Sequence, residues 1–317
     1  MKLGEIYRFA VEKGMEKDPR GKKKVLDELK KIKEKYEKMD KKEKEYFDRE
    51  KLSNPYADTR ILYGELNKEI KNVLMGIDME VGEVLAAQML RNKGEKIDLI
   101  ISHHPEGSAL ASFYEVMHMQ ADILNKYGVP INVAEDLLGE RIKEVSQKVM
   151  PANHQRAVDL ARLFDIPMMC IHTPADNHVT NYLQGIMDKK KPQTLDDIMN
   201  ILKEIPEYKE GANLNNGPKI IVGSAEKRAG KVFVDMTGGT EGSQKIFEKL
   251  SQTDVGTIVG MHLSIEHSKE AQKNHINVVI AGHIPSDNLG LNLLLDELFK
   301  KEKLKITSLS GFRRVER

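Results

Sequence analysis

Four places in this chain put metal-ligating or acid–base side chains directly after a short apolar run. Asp78 closes VLMGID, and His103 and His104 close DLIISHHP. His172 to Asp176 follow MMCI as HTPAD, and His283 to Asp287 follow NVVIAG as HIPSD. Imidazole is the commonest protein ligand for zinc-like metals. A mixed set of histidines and carboxylates suits zinc, manganese or iron, and suits calcium and magnesium poorly. Adjacent side chains on a strand point to opposite sides. His103 and His104 therefore serve two ions, or one ion if the chain turns at Pro105. A lone histidine at a strand end is more often a hydrogen-bonded structural residue. The ordered set HHP, HTxxD and GHxxxD is a far more specific signal. Three histidines and two carboxylates are few ligands for two ions, so such a site keeps open positions and a carboxylate available to bridge.

Other polar residues carry weaker signals. His172, four residues before Asp176, reads as a group that orients a ligand or substrate. Asp78 either holds a histidine Nδ1–H or caps a helix near 80–92. Glu106, just after HHP, reads as an extra ligand, a partner to a ligand, a general base, or a solvated loop acid. His262, Glu266 and His267 follow the apolar run 257–259. They offer a proton-transfer role for His267 or the start of a helix. His118, His154, His178 and His275 lie in or beside helical stretches and read as surface or packing residues. The Gly-rich segment Met236-Thr237-Gly238-Gly239-Thr240-Glu241-Gly242-Ser243 could cradle a phosphate at a helix start. It lacks the lysine and spacing of a P-loop and reads more simply as a turn.

These residues need elements to bring them together. Short apolar runs at 73–77, 97–101, 131–134, 168–171, 220–222, 232–234, 257–259, 278–281 and 304–309 are expected strands. They alternate with helical patterns near 80–92, 110–126, 135–164, 178–188, 194–204, 242–251, 266–274 and 287–301. Such alternation predicts an α/β fold with mostly parallel sheets. Parallel strands bring their C-terminal ends to one edge, where open α/β sheets place their chemistry. Pro206, Gly211, Asn215-Asn216-Gly217 and Pro218 mark the best internal boundary. It divides the chain into a helical N-terminal extension (1–60), a first α/β half (61–210) and a second α/β half (211–317). Each half carries a histidine-bearing strand end, which suggests a duplication. In the extension, Leu3, Ile6, Phe9 and Ala10 recur at helical spacing, as do Val25, Leu29, Ile32, Tyr36 and Met39. These stripes pack on each other or on the main body.

Composition bounds the function. Among 317 residues, 50 Lys and Arg balance 49 Asp and Glu, so net charge points to neither nucleic acid nor an anionic membrane. Residues 20–51 are dense in Lys and Glu and read as a solvated helix with paired charges, because interleaved acids dilute any nucleic-acid-binding field. The single cysteine, Cys170, permits no intrachain disulfide, suits a reducing cytoplasm and reads as a packing residue. The segment MKLGEIYRFAVEKG has no apolar core of a signal peptide, and no run approaches the ~18 apolar residues of a membrane span.

ISHHP, then IHTPAD, then AGHIPSD resembles the NGG-one-interacting factor three family, whose members are also described as GTP cyclohydrolase type-two homologues. The resemblance covers roughly residues 70–300. It implies a dinuclear metal centre held by the HHP pair, the Asp of HTxxD, and the His and acid of the last motif. Residue by residue, these are His103, His104, Asp176, His283 and Asp287, holding two divalent ions per chain (zinc, iron or manganese). It also implies intertwined α/β/α halves and a ring-like homo-oligomer, a hexamer. The region of His262 and His267 approaches the same cleft in that family. Two departures stand out. Asp287 occupies the place of a Glu and is one methylene shorter, so its loop must sit closer to bridge two ions. Glu106-Gly107 replaces a more apolar pair.

The expected function is therefore a cytoplasmic, dinuclear-metal-dependent hydrolase of a small molecule, such as a nucleotide or pterin precursor, with Glu106 or His267 moving protons. The competing expectation is a metal-binding oligomeric scaffold or regulator without turnover.

Overall fold

The structure is a computed structural model that describes residues 1–317. Nine strands form two sheets: β1 (Arg60–Tyr63), β2 (Asn72–Gly76), β3 (Leu99–Ser102), β4 (Met168–Cys170), β5 (Lys219–Val222), β6 (Lys231–Asp235), β7 (Val255–Gly260), β8 (Asn277–Ile280) and β9 (Lys305–Ser308). The first sheet runs β1-β4-β3-β2-β9 and the second runs β5-β8-β7-β6. Apart from β9, the two orders are the same. In each sheet the first strand in sequence is an antiparallel edge and the next three are parallel. The duplication suggested by the histidines is thus visible in the topology. The C-terminal strand β9 returns to pair with β2.

Parallel register lines up the strand ends. Gly76 pairs with Ser102, and Ser102 with Cys170. In the second sheet Asp235 pairs with Gly260, and Gly260 with Ile280. Five of these six ends, all but Asp235, are followed within three residues by a residue of interest: Asp78, His103, His172, His262 and His283.

Two long helices lock the halves together. The helix Thr173–Lys190 follows β4 of the first sheet, yet its Val179, Leu183 and Met187 pack with Val232, Val234, Val259 and Val279 of the second. The helix His283–Phe299 follows β8 of the second sheet, yet its Leu291, Leu294 and Leu295 pack with Val73, Met75 and Ile101 of the first. Each half covers the other's sheet, which makes the halves intertwined, as the resemblance implied. The N-terminal helix Leu3–Lys17 inserts Leu3, Ile6, Phe9 and Ala10 into the same core as the first sheet, so its stripe packs on the main body.

Two expectations are corrected. The apolar run 131–134 is no strand but the first turn of the helix Ile131–Val149. Ala134, Leu138, Ile142 and Val145 are its buried positions, and this helical spacing extends the four-residue run beyond anything a strand would show. The strand Arg60–Tyr63 lay outside the expected set, because its four residues offer only Ile61-Leu62 as an aliphatic run. No helix of the chain is long and apolar enough to cross a membrane.

Candidate metal centre

Both HxxxD motifs lie on helix first turns rather than in loops. His172 is the residue before Thr173–Lys190, with Pro174 pre-set for its first turn. His283 opens His283–Phe299. Four residues is about one helical turn, so each histidine stacks above its aspartate. The two helices cross closely where Gly290 meets Ala175: a Cβ on Gly290 would lie 2.4 Å from the Ala175 carbonyl oxygen. This approach carries Asp176 and Asp287 to one point.

All five expected ligands converge there. His103 Nε2 lies 3.5 Å from Asp176 Oδ1 and 3.4 Å from Asp287 Oδ1. His104 Nε2 lies 3.5 Å and His283 Nε2 3.6 Å from Asp287 Oδ2. Ligand atoms of His103, Asp176 and Asp287 form one group that could hold a metal ion, and those of His104, His283 and Asp287 form another. Asp287 is common to both. A third group joins His103, His104 and His172.

The residues fit divalent metal on three grounds. Asp176 Oδ1 and both oxygens of Asp287 are buried with no hydrogen-bond partner. Such orphaned acceptors are costly unless something pairs with them. The separations are long for hydrogen bonds, but ligands about 2.1 Å from a tetrahedral ion lie roughly 3.4 Å apart. Finally, three imidazoles are fixed through Nδ1. His103 donates to the Ile171 carbonyl at 3.0 Å, His104 to Asp78 Oδ1 at 2.6 Å, and His172 to Asp58 Oδ2 at 2.7 Å. A partner on one ring nitrogen sets the tautomer that leaves the other free for metal.

Electrostatics describe the same excess of negative charge. Burial pulls His103 down, but Asp287 and Asp176 outweigh it and hold the imidazole well above its ordinary range. His104 is likewise pushed up to about 9, burial being outweighed by bonds to Asp287 and Asp78. Asp287 is fully buried, which raises a carboxyl, yet the surrounding histidines hold it far below the usual carboxylate range. Burial leaves His283 below its ordinary value. The cluster is closed at one end, where His103, Asp176 and Asp287 are buried, and open at the other, where the His104 and His283 side chains are 25% and 39% exposed.

The two expected proton carriers are placed less simply. His267 has both ring nitrogens engaged, Nδ1 with Ser264 Oγ at 2.7 Å and Nε2 with the Gly242 carbonyl at 3.0 Å. It sits on the first turn of the helix Ile265–Lys273, which matches the helix-start alternative. Glu106 belongs to none of the three ligand groups; burial, then the charge of Glu80, pushes its carboxyl up to about 7. Its backbone N–H donates to the buried Cys170 Sγ at 3.2 Å. Burial raises that thiol, as befits a packing cysteine.

Several partners were harder to read. Asp78 does not cap its helix, whose N-cap is Glu80; it holds His104 instead. Asp58 had no signal, because it lies in a loop 114 residues before its partner His172. His262 is the stronger candidate of its cluster. Its ring is 4.8 Å from that of His283, and its Nδ1 donates to Glu241 Oε1 at 3.1 Å. The segment from Met236 to Ser243 is a turn: Gly238 and Gly239 take positive φ, and Gln120 Nε2 bonds the Gly238 and Thr240 carbonyls.

Fold and site together define a class: a duplicated α/β chain with interlocked halves whose strand ends and helix starts gather a His/Asp cluster able to hold metal. No protein-family model and no curated protein matches the chain. Among solved structures, a NIF3 superfamily protein from Sphaerobacter thermophilus is 25% identical, with a TM-score of 0.69 over 80% of this chain and 91% of its own. Reduced HcgD from Methanocaldococcus jannaschii is 17% identical, with a TM-score of 0.48 over 78% of this chain and 87% of its own. The chain is similar in fold to the Sphaerobacter NIF3 superfamily protein, a member of the family its HHP, HTxxD and GHxxxD motifs resemble.

Proposed function

We propose that this protein is a metal-dependent hydrolase of a small molecule, with two divalent ions (zinc, iron or manganese) held by His103, His104, Asp176, His283 and Asp287. One observation carries the reading. The cluster is buried around His103, Asp176 and Asp287, its His104 and His283 side chains are partly exposed, and a cavity begins at His172, Asp176 and His283. Structural metal sites are closed, and catalytic ones keep an open position. The same observation favours turnover over a scaffold.

Ions held there would supply Lewis acidity and a water acidic enough to react near neutral pH. The chain's own residues supply the rest. Asp287 presents one oxygen to each ligand group. Asp78 and Asp58 hold His104 and His172 in the tautomer that leaves Nε2 unprotonated. Glu241 does the same for His262, whose Nε2 is then free to take or return a proton beside His283. In this reading His262 takes the role expected of His267, and Glu106 remains the second carrier. Nucleotides and pterin precursors are the first substrates to try, since the family resemblance implies them.

Elemental analysis of the purified, reconstituted protein is expected to give close to two transition-metal ions per chain. A content that stays near zero rules the reading out. A hydrolysis screen over nucleotides, cyclic dinucleotides and pterins should then show an activity that His104→Ala abolishes with the circular dichroism spectrum unchanged. Bound metal without activity across that screen points to the scaffold. The ring-like homo-oligomer is part of the same proposal, and light scattering on the full chain checks it.

A further inference from the structure

Beside the cluster lies a hollow of about 1050 Å³ including its mouth. Its floor is the face of the second sheet that carries Phe233, Ile258 and Val278, and its roof comes from the helices Met119–Lys126 and Ile131–Val149. His172, Asp176 and His283 line its inner end, so the chamber and the cluster are continuous. Of 27 lining residues, 13 are hydrophobic and none is lysine or arginine. The nearby Arg141 is held outside by the Glu241 carbonyl and the Glu144 carboxylate. A polyphosphate would find no side-chain cation on these walls.

The wall does carry acids. Glu241 is occupied by His262 and the Ser264 N–H. Asp235, at the end of β6, has a carboxylate that accepts no hydrogen bond and joins no ion pair; it is exposed and lines the chamber, with His262 as the nearest opposite charge. Exposed and unpaired, this carboxylate is free to accept a donor from a ligand in the chamber.

We propose that this chamber is the substrate site, taking a molecule with an uncharged, largely apolar body and an N–H or ammonium group directed at Asp235. That it binds substrate rests on the hydrolase reading; that it binds such a molecule does not. The ligand's body lies among Phe233, Ile258 and Val278, its donor meets Asp235, and its labile group points to the end formed by His172, Asp176 and His283. The apolar walls supply affinity, and the single carboxylate supplies orientation.

Naphthylmethylamine and its neutral counterpart naphthylmethanol serve as probes, titrated into the full chain by calorimetry, with metal content measured on the same samples. The amine is expected to bind about tenfold tighter than the alcohol, as a charge-assisted hydrogen bond provides. Asp235→Asn should erase that preference while leaving the alcohol's affinity unchanged. Ile258→Trp, which fills the chamber, should weaken both probes. Equal affinities for the two probes, a preference that survives Asp235→Asn, or no binding of either would overturn the proposal. Metal present with no probe bound removes the chamber and leaves the hydrolase reading standing; probe bound without metal does the reverse.

Discussion

In the first sheet, the face carrying Leu74, Ile100 and Met168 is filled by Val84, Ala87, Ala157 and Ala161 from the helices Val81–Asn92 and Arg156–Leu163. The matching face of the second sheet, carrying Phe233, Ile258 and Val278, borders the large cavity instead. Its roof is borrowed: residues 119–149 lie between β3 and β4 of the first half but pack over the second. The ends of the strands differ in the opposite sense. After β3 the first half has His103 and His104; at the corresponding place after β7 the second has Met261 and His262. Both halves retain the HxxxD helix start. From one topology, the first half has become the richer source of ligand atoms and the second has kept room for a molecule.

The largest test of this division is Asp287, the one residue common to two ligand groups. Asp287→Asn keeps the volume and removes the charge. It should lower the affinity for both ions by more than about 100-fold, above the range for partners that merely orient a ligand. Elemental analysis after dialysis against graded chelator reads this directly. Undiminished retention of metal would show that the groups do not share Asp287.

Next in size is the contrast between the carboxylates behind the histidines. Asp78 holds His104 and Asp58 holds His172 in the first half; Glu241 holds His262 in the second. Asp78→Asn should weaken metal binding by about 10- to 100-fold, since it loosens a ligand's orientation. Glu241→Gln should leave metal binding unchanged and slow turnover, because His262 is assigned protons rather than metal. If Glu241→Gln releases metal as readily as Asp78→Asn, His262 serves metal rather than protons, and the contrast between the two carboxylates fails.

Much of this arrangement was legible in the residues. Eight of the nine strands announced themselves as apolar runs, and the HHP, HTxxD and GHxxxD order named the five converging side chains. What escaped has physical reasons. Asp58 acts across a long loop, so no spacing could expose it. The swap of covering helices is invisible locally, because an amphipathic helix carries no mark of which sheet it will cover. The chamber is assembled from residues on three strands and six helices far apart in sequence. His267 looked chemical because histidines after strands are rare enough to attract notice, but its ring serves Ser264 and Gly242.

A smaller effect tests how the halves are held together. At Gly290 an added Cβ meets the Ala175 backbone oxygen, which cannot move aside as a flexible side chain can. Gly290→Ala should destabilise the fold by about 1–3 kcal/mol, the usual range for overpacking. Gly185, on the exposed side of Thr173–Lys190, has nothing within 4 Å of such a Cβ. Gly185→Ala should therefore stabilise by about 0.5–1 kcal/mol through helix propensity. Denaturant melts of the two variants compare a crossing with an open face on the same pair of helices. Equal effects would mean the crossing is slack.

The smallest expected effect is the pH dependence of the pair Glu241 and His262, the second half's counterpart of Asp78 and His104. Burial raises Glu241, but His262 and His267 outweigh it and bring the carboxyl from 4.5 to about 2. Its stabilising contribution is thus fully present above pH 4.5 and is lost as pH falls toward 2. The bond to Glu241 raises His262 above 6.5 against the opposing effect of burial. Seen from that partner, the contribution is fully present below pH 6.5 and fades as pH rises through the folded value. These are two views of one interaction, so the window lies between pH 4.5 and 6.5. The difference in Tm between the native chain and Glu241→Gln should be widest there and should shrink on both sides. A gap that stays constant into alkaline pH would show that Glu241 acts through the Ser264 N–H and not through His262, and the parallel with Asp78 and His104 would go with it.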